Sequence, residues 1–409
     1  MDKVIVFVRP AGLMRLDTAS FIKQSGYKIA IAADEGYIDS DNVSDYIIYS
    51  EINNIDKLIS DIAEFGTLHE IVGVLSFAEA CIEQASAVAE ALGLNGPSFG
   101  AIKVCRNKYL TRIMTKEKGV PSPNFFIAKS LDEIKCKIKG VKFPVIVKPL
   151  NLAGSCGVTR IDNISELNEK YDELILKRKN SSIKKVLDDT TEGYWIVEEY
   201  IEGFEISVES YTYNGYTEVI TIHDKILPVE APYFTEGMSA TPSPRIKIDL
   251  EKKIKEITKN ALKAVNFDNG VSHVEFRVTN DEPVLLEING RPGGGLILES
   301  VYYSTGIKLN EALVKICLGI DPKESVKYRK PSVVSHISPP EGKILEIEGV
   351  NLLKNNKELS IFQQRVKAGD IIKTSSAQLG VVILATGNDI KYLIELIKNE
   401  TSKINFIME

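Results

Sequence analysis

The stretch LLEINGRPGGG, Leu285 to Gly295, sets Glu287 and Asn289 two residues apart in an apolar run, then adds Arg291 and three consecutive glycines. A strand that served only to fill a core would not break its run with an acid and an amide and then give up side chains. Its companion is SHVEFRV, which carries a second acid twelve residues before Glu287. Alternation there is strict: Val274, Phe276 and Val278 share one face, and His273, Glu275 and Arg277 share the other. A turn centred on Asp281 in TNDEP closes the two runs into an antiparallel hairpin with Glu275 opposite Glu287. Directly opposed side chains lie about 5 Å apart at Cβ. Two carboxylates at that distance repel by about 3 kcal/mol at an effective dielectric near 20, so a cation is expected between them.

Glu275, Glu287 and Asn289 offer only hard oxygen ligands, which suit Mg²⁺ or Mn²⁺ and disfavour zinc. Magnesium keeps waters and shares its shell with substrate phosphates, so the expected occupant is a metal bound to a nucleotide. The competing reading is a solvent-facing hairpin with incidental acids. Arg291 weighs against it, because a guanidinium one strand step beyond the ligands can hold a phosphate or a developing oxyanion bidentately. The glycines at 293 to 295 leave backbone N–H groups open to an anionic group.

Elsewhere the chain supplies phosphate-seeking groups. Lys148 ends the apolar run FPVIVKP, a place where a lysine either snorkels to water or meets an anion. NLAGSCGV follows at once, a glycine-rich loop with Gly154, Ser155 and Gly157 that is not a Walker A sequence. Lys108, in RNKYLTRIM, sits on an expected helix as a second cation. WIVEEYIEGFE is a strand leading into a short link with acids at 198, 199, 202 and 205, which by themselves read as solvated.

Composition bounds the rest. The 409 residues exceed what one core usually serves, so two or three domains are expected. Lys and Arg number 50 against 56 Asp and Glu, a net charge of -6 that argues against nucleic acid as a partner. The five cysteines are scattered without a C-x-x-C pair, the pattern of reduced thiols in a cytoplasmic protein, with zinc not expected. MDKVIVFVRP holds only a short apolar run before Arg9, too short for a signal peptide or a membrane span.

VIVFV, KIAIAA and EIVGVLSF alternate with helical segments, a βαβ pattern that predicts a parallel sheet. The first turn, RPAGLMR, lacks G-x-G-x-x-G, so a dinucleotide is not expected there despite Asp34. From about Cys105 short β runs dominate and predict an α+β module, with a polar helix over roughly Ser165 to Leu187 and another near Leu309 to Leu318. DPKESVKYRKP reads as a linker, and GVVILAT with IKYLIELIKN as a small third lobe.

Taken together, Lys108, FPVIVKP with Lys148, GSCGV, VEEYIEGFE and Glu275…Glu287-x-Asn289-x-Arg291 resemble the ATP-grasp superfamily, in its order, over about residues 106 to 320. The resemblance implies an N-terminal parallel-sheet α/β domain (1–105), a two-subdomain ATP-grasp catalytic domain (106–320) and a C-terminal lobe (321–409). It places ATP between two β-rich subdomains, with Lys108 and Lys148 on the phosphates and the loop from Gly154 to Gly157, including Ser155, closing over them. Glu198 and the backbone of Glu199, Tyr200 and Ile201 would hold adenine, and Glu205 the ribose. Glu275, Glu287 and Asn289 would bind Mg²⁺, and Arg291 would stabilise an acyl phosphate. The chain looks like the L-amino-acid ligase branch, on EINGRPGGG, the segment VEAPYFTEGMSATPSP and the tail from HISPPEGKILEIEGV. That implies a ligase joining a small carboxylate to an amine, both amino acids, with a homodimer common in look-alikes. The alternatives are a carboxylase or formyl-phosphate-forming enzyme of the purine or biotin type, and a nucleotide-binding regulator without catalysis. His223 on its strand reads as structural, and His223, Glu230 and Glu236 are assigned no role.

Overall fold

Alternate residues of the strand Lys3–Val8 feed two different cores, which is what a strand covered on both faces requires. Ile5 and Phe7 pack with Ile29 and Ile31, the helix Thr18–Gln24 and the helix Leu309–Cys317. Val4, Val6 and Val8 pack with Ala30 and Ala32, the helix Ile55–Phe65 and the helix Ile82–Ala91. The sheet is parallel throughout, in the order Tyr46–Tyr49, Lys28–Ala33, Lys3–Val8, Glu70–Leu75. The computed structural model describes residues 1–10, 13, 15–150, 157–180, 193–226, 237–372 and 380–409. Gly154, Ser155, Glu230, Glu236 and the last residues of the expected polar helix lie outside them; that helix is described as Ile164–Asn180.

Two antiparallel sheets follow. The smaller has the order Phe125–Ala128, Trp195–Glu199, Val145–Pro149, Thr159–Ile161. Its Val145, Val147, Trp195 and Val197 are buried against the helices Leu131–Lys137 and Ile164–Asn180. By period two, Ile146, Lys148 and Glu198 face the other way. The larger sheet has eight strands, beginning Glu282–Asn289, Gly270–Thr279, Phe204–Tyr213, Tyr216–Ile226. Ile206, Val208, Val274, Phe276, Leu285 and Ile288 bury one face with the helix Ile248–Ala264.

The sheet then continues through Met238–Thr241 into Ser332–Ile337, Val381–Thr386 and Ile361–Gln364. The segment expected as a third lobe therefore extends the central sheet, and only Ile371–Ile372, Gly342–Glu348 and Asn405–Met408 form a sheet of their own. Hydrogen bonding between Met238–Thr241 and Ser332–Ile337 ties the two parts without a break. Cys81, Cys105 and Cys317 are buried free thiols and Cys136 an exposed one. Burial pushes the Cys105 and Cys317 thiols up to about 12, so they stay protonated. Among the described residues no helix is long and apolar enough to cross a membrane.

Candidate active site

The hairpin register follows from alternation and one irregularity. Asn280 and Asp281 adopt positive φ of 50° and 58°, and Thr279 faces Glu282, so the turn has two residues, Asn280 and Asp281, and is centred between them rather than on Asp281. A regular ladder from such a turn would oppose Glu275 to Leu286. The register instead shifts after Phe276↔Leu285, and Glu275 pairs with Glu287, His273 with Asn289. The extra residue, Leu286, is a β-bulge that turns both Leu286 and Glu287 toward the cleft between the two antiparallel sheets.

That cleft brings together most of the expected residues. Lys108, Lys148, Glu198, Glu199, Tyr200, Ile201, Glu205, Glu275 and Glu287 all line it, with Ile146, Val158 and Leu286 supplying apolar wall. Lys108 opens the helix Lys108–Glu117, whose N-cap Asn107 accepts hydrogen bonds from the Tyr109 and Leu110 amides. The Lys108 amide donates to the Leu150 carbonyl at 3.0 Å, which ties this helix start to the end of the Lys148 strand. Gly157, at the near end of the glycine-rich loop, has φ +73° and precedes Val158. Asn289 is buried beside the pair but does not line the cleft. Arg291 also stands outside the lining; its Nε meets Glu79, just past the strand Glu70–Leu75, and its Nη1 donates to the Pro292 carbonyl at 2.9 Å.

Among the described residues, four of the five acids that line the cleft, Glu198, Glu205, Glu275 and Glu287, are met by cations, while Glu199 accepts from Asn124. Lys108 Nζ lies 3.0 Å from Glu287, and Lys225 Nζ lies 3.2 Å from Glu275 and 2.8 Å from Glu205. Burial alone would raise Glu275; Lys225 and His273 override it and hold its carboxyl below the usual range. On the facing sheet Lys148 Nζ sits 2.6 Å from Glu198, whose other oxygen accepts from Arg112 Nε at 2.7 Å. Burial pushes Glu198 up, but Arg112 and Lys148 outweigh it and bring the carboxyl down to about 2. Burial likewise keeps the Lys148 amine below its ordinary range, with Glu198 opposing. Tyr200 is stacked by Arg160 at 4.5 Å and Arg277 at 4.9 Å, and Arg277 Nη1 donates to the Ile201 carbonyl at 2.7 Å.

A pH prediction follows from Glu198. Because its folded pKa is depressed, the stability it contributes is complete above the unfolded carboxylate range near 4.5 and is lost as pH falls toward 2. Glu198→Gln should therefore be destabilised near pH 7, with the gap closing between about pH 4.5 and 2 in urea-denaturation midpoints. A gap that stays constant with pH would contradict the charged triad.

The glycines after Arg291 have a packing reason that alternation alone does not reveal. A Cβ at Gly293 would stand 3.1 Å from His273 Nδ1, and at Gly295, where φ is +56°, 2.0 Å from His336 Nε2. Gly295→Ala should cost about 2–4 kcal/mol, left-handed strain plus overpacking, measured as a shift in denaturation midpoint.

Several site residues had escaped the sequence reading. Arg112 lies four residues after Lys108 on the same helix, so helical spacing marked it as a neighbour. Lys225 follows His223 by two residues and shares its face. Glu79 and Glu209 carried no local signal.

A cation would fit the donors present. Glu275 and Glu287 are opposed hard-oxygen ligands, each already balanced by a lysine, so the spot favours positive charge. Among the described residues no three His, Cys, Asp or Glu side chains form a ready metal cage. Further ligands would thus come from Asn289, water and nucleotide phosphates.

Comparison with known proteins agrees with this geometry. The ATP-grasp domain family matches residues 141–300. Alanine–anticapsin ligase of Bacillus subtilis is 25% identical over 339 residues, covering 76% of this chain and 70% of that protein. A formate-dependent phosphoribosylglycinamide formyltransferase of Saccharolobus solfataricus is 26% identical over 317 residues, covering 75% of this chain and 74% of that protein. The crystal structure of an L-amino acid ligase from Bacillus licheniformis superposes with a TM-score of 0.83 at 19% identity, covering 100% of this chain and 99% of that one. At that identity the likeness is one of fold. The chain spans between about two thirds and three quarters of the curated relatives just named, 70% and 74%. ATP-grasp enzymes work with ATP and Mg²⁺, and neighbouring folds have been seen with ADP and with ATP. Residues 141–300 thus match the ATP-grasp domain family, and the chain as a whole is similar to ATP-grasp ligases, the amino-acid ligase branch among them.

Proposed function

We propose that this protein is an ATP-dependent carboxylate–amine ligase that activates one amino acid at its carboxylate and joins it to the amine of a second, releasing ADP and phosphate. The observation that carries the reading is the convergence of Lys108, Lys148 and the opposed Glu275 and Glu287 on one cleft between two sheets. In this reading Lys108 and Lys148 exchange carboxylate partners for the phosphates of ATP. The backbone of Glu199 to Ile201 meets the adenine edge, with Arg277 holding the Ile201 carbonyl in place, and Glu205 takes the ribose. A divalent ion on Glu275, Glu287 and Asn289 would supply neutralisation of the triphosphate.

The chemistry proceeds in two displacements. A carboxylate oxygen of the first substrate attacks the γ-phosphorus, and ADP leaves. The amine nitrogen of the second attacks the resulting acyl carbon, and phosphate leaves with loss of a proton. In this reading Arg291, which stands outside the cleft lining and meets Glu79, would leave that partner to stabilise negative charge at the acyl centre. Likeness to alanine–anticapsin ligase and to an L-amino acid ligase supports amino acids as substrates. A formyl-phosphate-forming or carboxylating enzyme is the second reading, supported by comparable identity to the formate-dependent formyltransferase. Incubation with Mg·ATP and either pairs of amino acids, formate or bicarbonate, following ADP and phosphate, decides between them. Turnover with amino-acid pairs is the expected result; turnover with formate or bicarbonate alone would replace the ligase reading.

A further inference from the structure

The face of the large sheet that looks into the cleft carries a buried chain of polar groups behind Glu275. Glu209, on Phe204–Tyr213, is fully buried, and its Oε1 lies 2.6 Å from His273 Nδ1. His273, on Gly270–Thr279, turns its other nitrogen, Nε2, to Glu275 Oε1 at 3.1 Å. Ser207 Oγ donates to Glu209 Oε1 at 3.1 Å. Burying a carboxylate and an imidazole inside a sheet face costs more than apolar packing of the same volume, unless their fixed geometry serves something. Here the chain ends on a side chain of the cation site.

Two contacts fall on the same oxygen of Glu275, and they differ in kind. Lys225 reaches Oε1 on a long flexible stem and has a second partner, Glu205, at 2.8 Å. His273 has a short side chain locked at its far nitrogen by Glu209, and Gly293 lies close over that nitrogen. A lysine so placed can withdraw to Glu205 when a cation arrives, whereas the imidazole has no comparable freedom.

We infer that His273, anchored by Glu209, is a positioning residue for the cation site: it holds Oε1 of Glu275 and so aims Oε2 at the metal, while Lys225 is the counter-ion that the metal displaces. Glu275 is then the fixed arm of the pair. Glu287, met by Lys108 from a different element, is the arm that adjusts. The inference rests on Glu275 being a cation ligand in the proposed ligase.

The test is Mn²⁺ binding to the full chain with ADP, followed by electron paramagnetic resonance, for wild type, His273→Leu and Glu209→Gln. ADP affinity without divalent cation and thermal melting are measured alongside. His273→Leu should weaken Mn²⁺ binding by about 10- to 100-fold, the range for lost outer partners of metal ligands. Glu209→Gln, which keeps an acceptor for Nδ1–H, should give a smaller loss in the same direction. In both, cation-free ADP affinity should stay at the wild-type level. Wild-type Mn²⁺ affinity in a folded variant overturns the inference, as does an equal loss of cation-free ADP affinity, which marks a merely structural role. If His273→Leu does not fold, Glu209→Gln alone decides. Failure of wild type itself to bind Mn²⁺ with ADP sinks the ligase reading, a result distinct from the other two.

Discussion

Glu287→Ala is expected to leave a folded protein whose ATP-dependent ADP release drops by at least about 10-fold. Loss of a partner behind a metal ligand typically costs 10- to 100-fold in affinity or activity, and loss of the ligand should cost no less. The fold should survive because Glu287 is on the end strand of its sheet and part-exposed, and its ion pair is with Lys108 alone among the described residues. Lys108 is buried, so losing its partner costs more than the roughly 0–1 kcal/mol of a surface pair, and the melt measures that cost. A coupled ADP assay with a thermal melt checks both halves. ADP release near the wild-type rate would remove the opposed-acid cation site. Unimpaired biological function in a variant that no longer turns over ATP would favour the regulator reading instead.

The second large effect is on stability. Arg112 is 1% exposed and serves two elements: its Nε donates to Glu198 and its Nη2 to the Leu286 carbonyl at 2.7 Å. Arg112→Met removes a guanidinium but leaves the buried Glu198 carboxylate and a buried carbonyl, and breaking such a pair from one side costs about 3–5 kcal/mol. Nucleotide affinity should fall as well, since Glu198 holds Lys148 and Leu286 sets the bulge that directs Glu287. Arg112→Lys should rescue little, because a single ammonium cannot reach both acceptors in the fork geometry of arginine. Urea denaturation at pH 7 and ADP titration provide the measurements. A stability loss of about 1 kcal/mol or less would show that water replaces the guanidinium and that the site is softer than this packing implies.

Much of the site was legible because the rules that place it are local. Period-two alternation alone assigns His273, Glu275 and Arg277 to one face; Glu275 and Arg277 line the cleft, and His273 is buried behind them, bonded to Glu275. The same rule separates Lys148 and Glu198 from Val147 and Val197. Continuous apolar runs marked the parallel sheet, although Tyr46–Tyr49, short and partly exposed, gave too weak a signal to be noticed. The opposition of Glu275 and Glu287 was reached by centring the turn on Asp281; the turn is centred between Asn280 and Asp281, and the opposition holds because a bulge compensates.

That bulge shows where local rules end. Nothing within Glu282–Asn289 requires Leu286 to step out of the ladder; its carbonyl is held by Arg112, 174 residues earlier in the chain. Arg291 meets Glu79, 212 residues away, a partner that no spacing within GRPGGG announces, because the packing of the N-terminal segment sets what stands beside that turn. The sequence by itself determined which side chains share a face, since strand and helix periods are properties of the backbone. Which charges meet across faces, Lys225 with Glu275, Arg112 with Glu198, Glu209 with His273, was decided only when separate sheets and helices packed, because an ion pair depends on distance in space and the chain carries no record of it in spacing.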